Sequence, residues 1–454
     1  MADYLPHTPE EVRDMLDFLG LRSLEELFAH IPASVRLSAG LDMAPGMSEP
    51  DFAAMFAELT AMNVGTTANL TCFAGAGAYD HEVPPVVRAL GSRSEFVTAY
   101  TPYQPEVAQG VLQAIFEYQT LVSRLAGLPI ANASIYDGAT SLVEALNMAG
   151  GATGRSKMLI SAGVHPHWRA VARTFAFGTG HELVEVPLRD GVTDWSGVDA
   201  TDVACVVSAY PNVLGVLEDL SVPEALAHAN GALFVIAGDP VAAGALRTAG
   251  EWGADVFVGE GQPFGTALSF GGPFLGLFAC TEAQIRRLPG RIVGETVDSG
   301  CRRSFVTTLR AREQDIRREK ATSNICSNQT LMAVTAAIQL GYLGTEGLAD
   351  VATRCAQGAH YLYEQLLRVP GVLAVSDAPF FREFAVRVPG EAKDVLAAMV
   401  GKGFLGGIAL ESLDPDHAGL VADQPQDVLI VAVTEKRTKN EIDAYVTALQ
   451  EVLA

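Results

Sequence analysis

From about residue 65 to residue 325, short apolar runs alternate with stretches of helical spacing. The runs are Met158-Leu159-Ile160, Leu183-Val184-Glu185-Val186, Val203-Ala204-Cys205-Val206-Val207, Leu233-Phe234-Val235-Ile236 and Val256-Phe257-Val258. Between them lie segments such as Trp168 to Phe177 and Val241 to Gly250, which read as helices. The alternation predicts a mostly parallel sheet with helices on both faces. Phe274 to Ala279 would add a further strand.

The two ends of the chain have a different texture. Thr8-Pro9-Glu10-Glu11 and Ser23-Leu24-Glu25-Glu26 both read as capping boxes, the first with proline at the first helical position. Pro32 would end the second helix. A helical arm over residues 1–64 follows, too small to hold its own core and packed on the main lobe or on a partner. A large α/β domain spans 65–327. Residues 328–454 then carry a long helix from about Asn328 to Leu367, bent near Gly341 and Gly344, and a smaller α+β lobe. Its strands lie near Glu383 to Val388 and Val428 to Val433, its helices near Ala392 to Val400 and Lys439 to Val452.

Composition narrows the class. Hydrophobic residues make up 49% and charged ones 19% of the 454 residues, the balance of an ordered globular chain. Acidic residues outnumber basic ones by 53 to 31, and a net charge of −22 would be repelled by phosphate backbones and anionic lipid. No nucleic-acid or membrane partner is therefore expected. The six cysteines are scattered without a CxxC pair or a neighbouring histidine at ligand spacing, which argues against a zinc site or a disulfide scaffold. No secretory signal is visible, and no apolar run reaches the ~18 residues of a membrane span. The expectation is a cytoplasmic protein with no metal site.

Candidate chemistry sits in the turns. Asp137-Gly138-Ala139-Thr140-Ser141 lies between a strand-like segment and an apolar helix. Gly138, Thr140 and Ser141 there would offer free N–H groups and two hydroxyls to an anion. In pyridoxal phosphate (PLP) enzymes of the aspartate-aminotransferase fold (fold type I) such a turn is the phosphate cup. An ordinary N-cap uses the same residues, and that reading comes first for the motif alone. His165, in His165-Pro166-His167, stands where that fold stacks a side chain on the pyridine ring, or else in a plain turn.

The two groups that PLP chemistry needs most are missing from this pattern. Leu233 to Ile236 runs into Ala237, where an aspartate would hold the ring nitrogen, and Asp239 comes two residues further on. The anchor lysine position, after Val256-Phe257-Val258, is Pro263. No lysine occurs between Lys157 and Lys320. A proline cannot form the Schiff base that holds the cofactor. The pattern is a cofactor fold without its anchor.

Several separated motifs carry a resemblance. They are Ala76-Gly77-Ala78-Tyr79-Asp80-His81, Thr98-Ala99-Tyr100-Thr101-Pro102-Tyr103-Gln104-Pro105-Glu106, Asn132-Ala133-Ser134 and Tyr136-Asp137-Gly138-Ala139-Thr140. Gly259-Glu260-Gly261-Gln262 and Arg318-Glu319-Lys320-Ala321-Thr322-Ser323-Asn324-Ile325-Cys326 complete the set. Over nearly the whole chain the sequence resembles the P-protein of the glycine cleavage system, and within it subunit 1 (α) of the split form. Ser327 stands where that family often has threonine.

The resemblance implies the PLP-dependent aspartate-aminotransferase fold, with PLP held by the partner, subunit 2, in an α2β2 tetramer. The complex would decarboxylate glycine, pass the aminomethyl group to the lipoyl arm of the H-protein and release CO2. It further implies that Tyr100, Tyr103, Gln104, Lys320, Thr322 and Asn324 complete the partner's active site. The tyrosines would wall the pocket, and Lys320 would meet either a substrate carboxylate or a neighbouring acid. Two other readings stand beside this one: a self-sufficient PLP enzyme using Lys320, and a scaffold without catalytic duty.

Overall fold

The structure, a computed structural model, describes residues 6–37, 41–63, 70–98, 101–414, 420 and 425–454. It divides into two units, Met1–Val64 and Gly65–Ala454. In the first, α1 (Pro9–Leu19) starts on the expected capping box, with Thr8 Oγ accepting from Glu11 N and Thr8 N donating 2.7 Å to the Glu11 carboxylate. The second expected box does not form. α2 (Leu24–Leu27) is a single turn, Ser23 makes no capping bond, and Arg22 N donates to the Glu26 carboxylate instead. α3 (Glu49–Ala61) is capped by Ser48.

The large sheet of the second unit and its helices include α4 (Gln109–Ala126), β1 (Ile130–Ala131), α5 (Gly138–Thr153), β2 (Lys157–Ser161), α6 (Pro166–Thr179) and β3 (Glu182–Val186). They continue with β4 (Val203–Tyr210), α7 (Ser221–Ala229), β5 (Leu233–Gly238), β6 (Val256–Glu260) and β7 (Gly276–Cys280). These seven strands form one sheet in the order β1-β7-β6-β5-β4-β2-β3. The pairs from β6 to β3 are parallel, with Val206 beside Phe234 and Val235 beside Val256; β7 alone runs against its neighbours. The mostly parallel sheet expected from the alternation is thus present, with one reversed strand.

Both faces of the central strands are buried, which is why β4, β5 and β6 read as nearly unbroken apolar runs; the edge strand β3 is only partly covered and carries Glu182 and Glu185. Val206, Phe234 and Ile236 pack with Tyr118 and Val122 of α4 and Ala227 of α7. Val207, Val235 and Val258 point to the other face, against Leu142 and Leu146 of α5 and Ala172 of α6. Burying a side chain such as Phe234 contributes about 1.5–3 kcal/mol.

β8 (Ile292–Val297) and β9 (Arg303–Thr308) form an antiparallel ribbon tied to α4 through Gln109 and Gln119. α8 (Thr330–Leu366) breaks at Gly344, whose φ of 61° no helix allows. The segment Val241 to Gly250 is not the helix its spacing suggested. Only Pro240–Gly244 forms a tight turn, because α8 presses on it: a Cβ on Gly244 would lie 2.6 Å from the Leu348 carbonyl oxygen. β10 (Leu373–Ala374), β11 (Glu383–Arg387), α9 (Ala392–Gly401), β12 (Ile408–Ala409), β13 (Val428–Ala432) and α10 (Lys439–Leu453) finish the chain. Their strands make an antiparallel sheet, β10-β11-β13-β12. Among the described residues no helix is long and apolar enough to cross a membrane.

Candidate functional site

In open parallel sheets the ligand crevice lies beyond the carboxyl ends of the strands. Here the ends of β4, β5 and β6 converge on a cavity of about 80 Å3. His165 and Trp168 from the start of α6, Asn212, Asp239, Glu260, Pro263, and Arg382-Glu383 from the small sheet line it. So small a space falls well below the ~300–1,000 Å3 typical of ligand pockets.

The turn at Gly138 shows why it is small. Asp137 caps α5, accepting from Thr140 N at 2.7 Å, and the Thr140 and Ser141 hydroxyls both donate to the Asp137 carbonyl oxygen. Gly138 N is left pointing outward, and it donates 3.0 Å to Glu260 Oε2. The other oxygen of Glu260 accepts from Gln262 N and Leu275 N at 2.9 and 2.8 Å. The positive end of the helix is therefore answered by an internal carboxylate. Burial pushes that carboxyl up to about 7 despite its three N–H donors. The Trp168 ring closes the turn from above: a Cβ on Gly138 would sit 2.1 Å from Cζ2.

His165 is also occupied. Its Nδ1 accepts from His167 N, so the proton is on Nε2, which donates 2.8 Å to the Ala76 carbonyl oxygen. Burial lowers its pKa to about 4, so the ring is neutral. The loop it holds, Gly75 to His81, wraps the small-sheet pair. Ala76 N and Tyr79 Oη donate to Glu383 at 2.6 and 3.0 Å, and a Cβ on Gly75 would collide with Glu383 and Ala432. The Arg382 guanidinium lies 3.8 Å from the Tyr79 ring centre, meets His81 Nε2, and is ion-paired at 2.7 Å with Asp239.

A bound PLP needs a lysine, an anion cup and an acid at the ring nitrogen. The residues present do not fit it. None of the lining residues is lysine, Pro263 follows β6, and Glu260 and Trp168 fill the cup. β5 runs two residues beyond the expected Ile236, so Asp239 stands directly after the strand, but Arg382 takes its carboxylate. Sequence reasoning gave Glu260 no role and overlooked Trp168, Arg382 and Glu383. Glu260 had a signal, an acid in a glycine-flanked turn after a core strand; Arg382 had none.

The other candidate residues lie elsewhere. Tyr103 and Gln104 are exposed and line an open groove with Phe96, Thr98 and Val107, sharing no residue with the cavity. Lys320 ends a single 3-10 turn and is exposed, in none of the ion pairs of the described residues. Thr322 and Asn324 are exposed as well, while Ser323 and Ile325 turn partly inward between and beyond them. Tyr100 lies outside the described residues.

The sequence model of the glycine cleavage system P-protein matches residues 2–449. The chain belongs to the P-protein family. Relatives include the probable glycine dehydrogenase (decarboxylating) subunit 1 of Anoxybacillus flavithermus, 45% identical over 98% of both chains. That of Brevibacillus brevis is 46% identical over 99% of this chain and 98% of its own. A crystal structure of glycine decarboxylase (P-protein), in inhibitor-bound form, superposes with a TM-score of 0.90 at 45% identity, covering 99% of this chain and all of the other. The cysteine desulfurase CsdA of Escherichia coli, at 15% identity and a TM-score of 0.61 over 87% of this chain and 98% of its own, shares the fold alone. This P-protein chain therefore has the fold-type-I architecture expected from its sequence.

Proposed function

We propose that the chain is subunit 1 of glycine decarboxylase, glycine dehydrogenase (decarboxylating), and that it carries no PLP of its own. The observation behind this is the cavity at Pro263 and Asp239, beside the turn at Gly138: a cofactor-type site filled by the chain's own Glu260, Trp168 and Arg382. In a family of this activity, a chain so filled needs a second subunit for the chemistry. Subunit 2 holds PLP through its lysine in an α2β2 complex, in the cytoplasm. The complex decarboxylates glycine and passes the aminomethyl group to the lipoyl arm of the H-protein, releasing CO2. Tyr100, Tyr103, Gln104, Lys320, Thr322 and Asn324 face that shared site, walling it from water so that a substrate carboxylate is poorly solvated. The exposure of Tyr103, Lys320 and Asn324, with no ion-pair partner for Lys320 among the described residues, favours this over a purely scaffolding role.

The test begins with the chain alone. Incubated with PLP and then borohydride, it should show no aldimine absorbance and no stable adduct. Co-expressed with subunit 2 and given H-protein, it should restore glycine–CO2 exchange. A lysine adduct on the isolated chain, or exchange by subunit 2 without it, would overturn the assignment.

A further inference from the structure

Arg291, at the foot of β8, was marked by no motif, yet motif segments far apart in sequence meet on it. Its side chain is only 5% exposed. Nη2 donates 2.5 Å to Tyr103 Oη and also to the Cys326 carbonyl oxygen, and Nη1 donates 3.2 Å to Asn328 Oδ1. The guanidinium also lies 4.7 Å from the centre of the Tyr103 ring. Its own carbonyl accepts from Ala133 N, while Asn328 Nδ2 donates to the Ala133 carbonyl and to Ser134 Oγ. Among the described residues no carboxylate forms an ion pair with it.

A buried cation that no described carboxylate bonds directly, with Glu313 acting on it only at longer range, is a poor way to stabilise a fold, since an apolar side chain would avoid its desolvation cost. What the planar fork offers is geometry: fixed donors hold acceptors from separate segments in one arrangement, which a lysine cannot reproduce. We infer that Arg291 is a positioning residue: it sets Tyr103 against Cys326, the exposed end of the segment that carries Lys320, Thr322 and Asn324, so that these two stretches present one surface to the partner's active site. The inference rests on the proposed role of those stretches in the decarboxylase.

The experiment uses the full complex with subunit 2 and lipoyl H-protein, measuring kcat and KM for glycine in the exchange reaction, with assembly followed by sedimentation. Arg291→Lys should assemble normally and lower kcat by about 100-fold, the cost of a slight misplacement, with KM for glycine little changed. Tyr103→Phe, which keeps the ring but loses the acceptor, should lower kcat by about tenfold. The double variant should fall no further than the worse single one. Normal exchange by Arg291→Lys beside a weakened Tyr103→Ala would overturn the inference and leave the proposed role of the segments standing. Failure of Arg291→Lys to assemble would also overturn it, assigning the guanidinium to folding. Normal exchange by both Tyr103→Ala and Lys320→Ala would refute the proposed role itself, and the inference with it.

Discussion

Glu260 holds three backbone N–H groups that no other group among the described residues accepts from, one of them at the start of α5. Replacing it by glutamine turns an amide NH2 toward one of those donors, leaving it unsatisfied in a buried place. Glu260→Gln should therefore cost about 1–3 kcal/mol, read from the shift of the urea midpoint. Proton linkage supplies a second readout. Burial pushes Glu144, Glu260 and Glu383 each up to about 7 from the usual 4.5. Folded, each binds its proton more tightly than unfolded, so the stability they add is complete below the ordinary carboxyl range and is lost as pH rises through 7. The fall in melting temperature between about pH 5 and pH 8 should be shallower in Glu260→Gln than in the wild-type chain. Of this site, Gly138 and Pro263 were legible as residues, because a turn and a missing amine are local features; Asp239 was set aside because the strand was expected to end at Ile236. Glu260 was visible only as part of a motif, since its partner lies 122 residues away.

Elements followed their local signals where packing agreed and departed where it did not. The same signature, Ser/Thr-x-x-Glu, made a capping box at Thr8 and none at Ser23, where the Glu26 carboxylate accepts from Arg22 N, one residue before the cap. A third box, at Thr438 and Glu441, starts α10, whose Ile442, Tyr445 and Leu449 fill the core of the small lobe. Thr438→Ala should cost about 1 kcal/mol, seen as a lower melting temperature with unchanged secondary structure. The strands were read well because burial on both faces leaves apolar runs with little ambiguity. The helix expected over Val241 to Gly250 failed for a reason outside its own residues, the approach of α8 to Gly244.

At the scale of the molecule, Arg382 and Glu383 join the small sheet to the large one. Arg382 pairs with Asp239 at the end of β5, and Glu383 holds the loop at Ala76 and Tyr79. Removing one partner of a buried ion pair strands the other, so Arg382→Ala should lose about 3–5 kcal/mol, measured by chemical unfolding. A loss near zero would mean that the lobes are held by apolar packing alone. The sequence by itself determined the sheet, the family and the absence of an anchor: strands follow from runs of neighbouring side chains, and a proline at residue 263 carries no amine in any fold. Only the tertiary structure decided what fills the space left behind. Glu260 reaching Gly138, Arg382 reaching Asp239 and Arg291 reaching Tyr103 are contacts between segments over a hundred residues apart. No local spacing encodes them, because they exist only once the sheet has brought the strand ends together.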